Sequence, residues 1–245
     1  MRPLEYTLVV LSVVIAAVCV KLGFWQIRRL HERQAYNAIV ASRLGEAPVT
    51  MDQLPRDTAT QHYRRVTVAG IYDYTHQIVL TSRSYQGSPG INLITPVRVP
   101  GTDTAVLVNR GWIYAADGTT ANETLWREAD SVHAVGYVTP FSTQGVGNAR
   151  LPSHPKAYRW LGTTIARDIF PYPVHPFLVV LQGDVKVQGG TLPRVDAPPL
   201  DEGPHRSYAI QWFAFAIIAI VGITFFIRRG TSRDETLGDD GTLSR

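Results

Sequence analysis

The sequence predicts an α+β membrane protein. Two transmembrane helices flank a mainly antiparallel β domain outside the cytoplasm, a small barrel or a sandwich. Three observations carry this expectation. Apolar stretches stand near both ends of the 245-residue chain. The basic excess stands with them: the net charge is +4, yet residues 34–204 hold as many acidic as basic side chains. Between the two stretches the apolar residues alternate with period two, as half-buried strands do.

The first span is expected over residues 6–27. Thr7 to Val20 is almost purely apolar, and Lys21 lies near the outer end, where its stem can carry the charge to the headgroups. Trp25 marks an interface. An uncleaved anchor is preferred to a signal peptide, because no small-x-small site precedes Lys21. Val18 is bulky where a lipidated Cys19 needs a small neighbour. Residues 28–44 contain neither Gly nor Pro and extend the helix, until Gly45 and Pro48 end it. A short helical turn is expected at Met51 to Leu54.

Strands are expected at Arg64–Tyr72, Gln77–Ser82, Ile91–Val99, Ala105–Tyr114, Val132–Val138 and Phe177–Gln182. Gly87, Pro89 and Gly90 mark a turn, and Pro96 an edge or a bulge. Asn109 and Gly111 suggest a second bulge or turn. Thr163 to Ile169 reads as a short helix. Residues 185–205 read as an extended return to the membrane, so the β domain with its helical extension covers 28–205. The second span is Tyr208 to Ile227, uncharged residues that rise about 1.5 Å each and so cross roughly 30 Å. Arg228, Arg229 and Arg233 follow it and place the C-terminus in the cytoplasm. Arg28, Arg29 and Arg33 argue the other way, but long segments translocate largely regardless of charge. Both termini are therefore expected inside, with a disordered polar tail at 230–245.

Composition excludes several classes. A neutral middle offers no footprint for nucleic acid. One cysteine rules out a disulfide framework and a cysteine-rich zinc module. No nucleophile elbow, phosphate loop or i, i+4 histidine pair occurs, so an enzyme is not expected. Asp201-Glu202 and Asp239-Asp240 read as solvated loop carboxylates.

Two histidines stand out by position: His31 just beyond the first span and His205 just before the second. An imidazole at a membrane boundary can ligate haem iron, or simply hydrogen-bond to water or backbone. Trp25 and Trp212 read as interface anchors before a cofactor platform. Arg110, set between strand residues and Gly111, needs paired acceptors if buried. It holds either an internal carboxylate or an acidic ligand group such as a haem propionate.

The segments LGFWQIRRLHER (22–33), YRRVTVAGIYD (63–73), ITPV (94–97), VLVNRGW (106–112) and SYAIQWF (207–213) stand in an order that resembles the Surfeit locus protein 1 family. The resemblance covers roughly residues 20–220. It implies an assembly factor for haem–copper cytochrome c oxidase that assists delivery of haem a to subunit I, or its retention there. It also implies His205 as a haem a ligand, because family members carry a His just before the second span. The His-x-x-Tyr spacing to Tyr208 is kept, but Gly203-Pro204 replace the polar residue common in the family. The alternative is a stable accessory subunit of the oxidase or of a respiratory supercomplex, with no cofactor of its own. Its spans would dock through small residues such as Ala214, Ala216, Ala219 and Gly222. Trp25, Gln26, Tyr208, Gln211 and Trp212 complete the surface expected to meet lipid and partner subunits.

Overall fold

The computed structural model describes residues 3–142 and 149–238. In chain order the elements are α1 (Pro3–Gly45), α2 (Thr58–Gln61), β1 (Arg65–Tyr72), β2 (Ile78–Tyr85), β3 (Ser88–Arg98), β4 (Ala105–Tyr114), β5 (Ser131–Pro140), β6 (Ala157–Tyr158), α3 (Thr163–Ile169), β7 (Val174–Leu181), β8 (Val185–Val187), β9 (Gly190–Leu192) and α4 (His205–Gly238). The chain divides into two compact units, one of residues up to Ile39 with those from Leu200 onward, the other Val40–Pro199.

The first unit is a pair of helices, both long and apolar enough to cross a membrane. Along α1 as far as Leu30 the buried positions are Ala16, Cys19, Gly23, Gln26 and Leu30, which alternate steps of three and four. Along α4 Ala209 and Ala216 are buried and Trp212 half-buried. This is the spacing that keeps one seam of a helix against a partner. Small residues let the backbones approach: a Cβ on Gly23 would lie 2.7 Å from the Phe213 ring. Phe24 meets Phe213 edge-on at 5.4 Å. The outer faces stay apolar and exposed, with Val10, Val13, Phe24, Ile210, Ile217 and Ile218 among the most open side chains. The helix α4 continues to Gly238, running through Gly230 where the tail was expected to start; no proline interrupts it after Ile227. Residues 239–245, with Asp239-Asp240, lie outside the described residues.

The second unit is a small barrel. Strands run in the order β1-β5-β7-β4-β3-β2-β6, and a further pairing of β1 with β3 closes the first five into a ring. All pairs are antiparallel except β4–β7 and β2–β6. Strand β3 serves two neighbours along one edge: β2 as far as Ile94, then β1 at Val97 and Arg98. Pro96, which has no N–H to donate, stands where the neighbour changes. Strand β4 is buried on both faces. Val106 and Val108 point into the barrel with Val66, Val68, Val97, Val179 and Leu181. Leu107 points outward beneath α3, against Ile94, Phe170 and Leu178.

The predicted turn is confined to Gln86 and Gly87; Pro89 and Gly90 already belong to β3. The expected extended return contains a hairpin, since β8 pairs with β9 through Gln188 and Gly189. A 3-10 turn over Tyr74–His76 leads from β1 towards β2. Its cap is Asp73, which accepts from the His76 ring Nδ1 and from the Tyr172 hydroxyl, each at 2.7 Å. Burial works against the Asp73 charge, but the hydrogen bonds from Tyr172 and His76 hold its carboxyl below the usual range. A depressed carboxylate contributes stability above its unfolded value, about 3.9, and loses it as pH falls through the folded value. Thermal melts between neutral pH and pH 3 will therefore fall less steeply for Asp73→Asn than for the parent. Equal slopes would mean that the cap contributes nothing.

Candidate functional site

In the helical unit the segment before α4 is fastened to α1 by polar contacts. The Asp201 carbonyl accepts from Arg33 Nε at 3.1 Å and from Asn37 Nδ2 at 2.8 Å. Glu202 Oε1 accepts from Gln34 Nε2 at 2.7 Å. Both acidic residues were expected as solvated loop carboxylates: Asp201 contacts α1 through its backbone and its side chain is exposed, whereas the Glu202 carboxylate is half-buried against Gln34. Gly203 turns the chain with φ +66°, and Pro204 gives its carbonyl to Ser207 Oγ and to the Tyr208 N–H. His205 opens the helix, and its Nδ1 lies 2.8 Å from Oε1 of the buried Gln26. A carboxamide oxygen only accepts, so this contact needs the proton on Nδ1, and in that neutral tautomer Nε2 keeps its lone pair. Among the described residues Nε2 has no hydrogen-bond partner. Beside it stands Gly203, where a Cβ would come within 3.6 Å. A neutral imidazole oriented through Nδ1–H, with Nε2 open, is the arrangement that metal-ligating histidines adopt.

In the barrel unit Arg110 is the extra residue of a bulge: Leu93 pairs with Gly111 and Ile94 with Asn109, leaving Arg110 unopposed. The bulge re-aims the Arg110 side chain, and its guanidinium is fully buried. Its Nε donates to Thr95 Oγ1 at 2.9 Å and Nη2 to Gln77 Oε1 at 2.7 Å. Nη1 donates to the Trp126 carbonyl at 2.8 Å and to Glu128 Oε1 at 3.0 Å. The rings of Tyr72 and Tyr74 lie 5.6 and 5.1 Å from its Cζ. Glu128 also accepts from both terminal nitrogens of Arg194, at 3.0 and 2.7 Å, and Arg194 donates to the Arg110 carbonyl. One carboxylate thus bridges two buried guanidiniums, and the three groups together keep one positive charge.

The SURF1 family profile matches residues 13–217, which include Gln26, Arg110 and His205. The chain belongs to the SURF1 family. It is similar to a SURF1-like protein of Monosiga brevicollis, 24% identical over 86% of this chain and 84% of the relative. It is also similar to an uncharacterized SURF1-like protein of Mycobacterium tuberculosis, 26% identical over 92% of this chain and 84% of the relative. Surfeit locus protein 1 of Gallus gallus is 30% identical over 42% of this chain and 38% of its own length.

The structure distributes the predicted residues of this SURF1-family chain over two places. His205 and Gln26 meet; Arg110 lies in the other unit, with Glu128 as its internal carboxylate partner. Trp25 is exposed and Trp212 half-buried, its ring edge-on to Phe215 at 6.0 Å. Tyr208, Gln211 and His31 face outward. Ala216, expected on a docking face, is buried in the seam of the helix pair, whereas Gly222 is open with no atom within 4 Å of a Cβ. The partners of Arg110 escaped the sequence reading. Glu128 and Arg194 sit outside the regular strands, and only the fold brings them together. Gln26 carried a signal: a polar side chain in an apolar stretch is a functional candidate by default.

Proposed function

We propose that this SURF1-family protein is a membrane-anchored maturation factor of haem–copper cytochrome c oxidase, which holds haem a through His205 on its way to subunit I. Both apolar helices span the membrane, both termini lie in the cytoplasm, and the barrel stands outside. The exposed apolar faces of α1 and α4 and the arginines after Ile227 support that placement. The observation that carries the haem assignment is the His205–Gln26 pair. Gln26 fixes the proton on Nδ1 and holds the ring, and Nε2 is left free as an axial donor beside a residue with no side chain. Haem a, when bound, would be the cargo, and His205 would supply a neutral nitrogen donor to its iron.

The test is a reduced-minus-oxidised spectrum of the tagged full chain in mild detergent, after oxidase subunits are washed away. Haem a retained by the parent should be lost in His205→Ala. Gln26→Leu keeps the imidazole but frees its ring, so occupancy should fall about 10- to 100-fold in affinity, as when the partner of a ligating histidine is removed. Equal spectra for parent and His205→Ala would remove His205 as a ligand. A second reading, a permanent accessory subunit without haem, draws on open Gly222, where a neighbouring helix can approach closely. Stoichiometric oxidase subunits with no separate haem signal would select it.

A further inference from the structure

The two neighbours of strand β5 overlap only at Gly136 and Tyr137. β1 pairs with Ser131 to Tyr137, but β7 pairs only from Gly136 to Pro140. Two bonds fix the parity of the ladder. The Gln182 N–H donates to the Val135 carbonyl at 2.9 Å, and the Tyr72 N–H donates to the Asp130 carbonyl at 2.8 Å. Odd residues of β5 therefore turn their backbone towards β7 and even residues towards β1. Ser131 and His133, both odd, aim N–H and C=O at the side that β7 has left. The chain departs there at Gly183, φ +78°, and runs into β8. Between the diverging walls lies a cavity of about 500 Å³, bounded by Ser131–Ala134 and by Gln182–Val187.

Tyr72 also lines this cavity. It is 5% exposed, and its hydroxyl is buried with no hydrogen-bond partner. Burial pushes the phenol well above its ordinary value, so the group is a donor at neutral pH. On the β8 wall Lys186 makes no ion pair among the described residues. Of the other charged groups on the walls, Arg127 is held by Asp130, Arg194 is held by Glu128, and Asp184 Oδ1 accepts from the Arg194 N–H, which leaves Lys186 as the uncommitted cation. The unmet groups are thus of two kinds. Backbone N–H and C=O recur every second residue, about 6.6 Å apart, which is the repeat of a strand. A neutral O–H donor and a cation both ask for an anionic acceptor.

We propose that this slot takes an extended, carboxylate-bearing polypeptide segment, which adds as a strand to β5 at Ser131 and His133 and presents its carboxylate to Tyr72 and Lys186. Backbone pairing supplies affinity and the side-chain pocket supplies choice, as in other strand-addition sites. This inference does not depend on haem binding, since it concerns the barrel unit alone.

The test uses the full chain in detergent and three blocked pentapeptides: acetyl-Thr-Val-Glu-Val-Thr-amide, its Gln analogue, and the Glu peptide with N-methylated backbone amides. Affinity is read by calorimetry and strand addition by hydrogen exchange at the His133 amide. That amide should exchange freely in the unbound protein and become protected at saturation with the Glu peptide. The Gln analogue should bind about tenfold more weakly, a difference that Tyr72→Phe together with Lys186→Gln abolishes. His133→Pro removes the outward N–H but leaves the β1 ladder, which uses even residues, so it should abolish binding while melting normally. His133→Ala should bind like the parent. The proposal is overturned by a His133 amide already protected without peptide, or by equal binding of the N-methylated peptide. It is equally overturned by absence of binding at millimolar peptide, or by acetate competing as well as the Glu peptide, which would mark a small-carboxylate site.

Discussion

Replacing Glu128 with alanine should destabilise the barrel by about 3–5 kcal/mol, because it strands two buried cations at once. Arg110 is fully buried and the Arg194 side chain is 7% exposed, and Glu128 is the carboxylate that both touch. The desolvation that each guanidinium suffered on folding stays; the attraction that offset it goes. The remaining acceptors around Arg110 are neutral: Thr95, Gln77 and the Trp126 carbonyl. Glu128→Gln keeps an acceptor oxygen and the shape of the side chain but not the charge, so it should fall between parent and alanine. Urea denaturation of the three proteins in the same detergent measures the difference. A loss below about 1 kcal/mol for Glu128→Ala would mean that water reaches the guanidiniums and that the pair behaves as a surface bridge.

Gly111→Ala should cost about 2–4 kcal/mol through the backbone instead. Gly111 lies in the bulge beside Arg110 with φ +139°, a region that L side chains rarely adopt. An added Cβ would also overlap the Pro193 carbonyl oxygen, which the Trp112 N–H holds at 2.9 Å, and would press on Leu192. That segment leads into Arg194, so displacing it disturbs the charge network as well. Gly101→Ala serves as the comparison. Gly101 has φ +79° but nothing within 4 Å of a Cβ, so it should lose only the conformational part, about 1 kcal/mol. Equal melting shifts for the two variants would show that the Pro193 contact yields freely.

Strand β1 was legible because one-sided burial imposes a two-residue period, and β4, buried on both faces, was legible as an apolar run. The reading of Ala105–Tyr114 coincides with β4, and that of Thr163–Ile169 with α3. The β8–β9 hairpin was missed although its sequence carries the signal, Gly189-Gly190 between Val-rich and Thr-Leu flanks. Its strands are too short for periodicity to register. Barrel closure was not legible at all, since it depends on β3 serving two neighbours along one edge. For the site, position singled out His205 together with His31, while Gln26 was read only as docking surface; the His205–Gln26 pairing spans 179 positions and needs the helices to pack in one register. Arg110 announced that it needed an acceptor. Nothing local could say that the acceptor was Glu128, shared with a second arginine.

The ring of strands is fastened unevenly. β1 meets β3 only at Ile71 with Arg98 and Tyr72 with Val97, whereas β3 and β4 pair along nearly their whole length. Local opening follows the fewest bonds, so this short latch is where the native barrel parts first. Parting there draws Tyr72 away from the core and uncovers Val66, Val68 and Val97 while the β3–β4 ladder stays zipped. Under the role in oxidase maturation proposed above, a latch of this kind sets how often the barrel shows its interior to its neighbours.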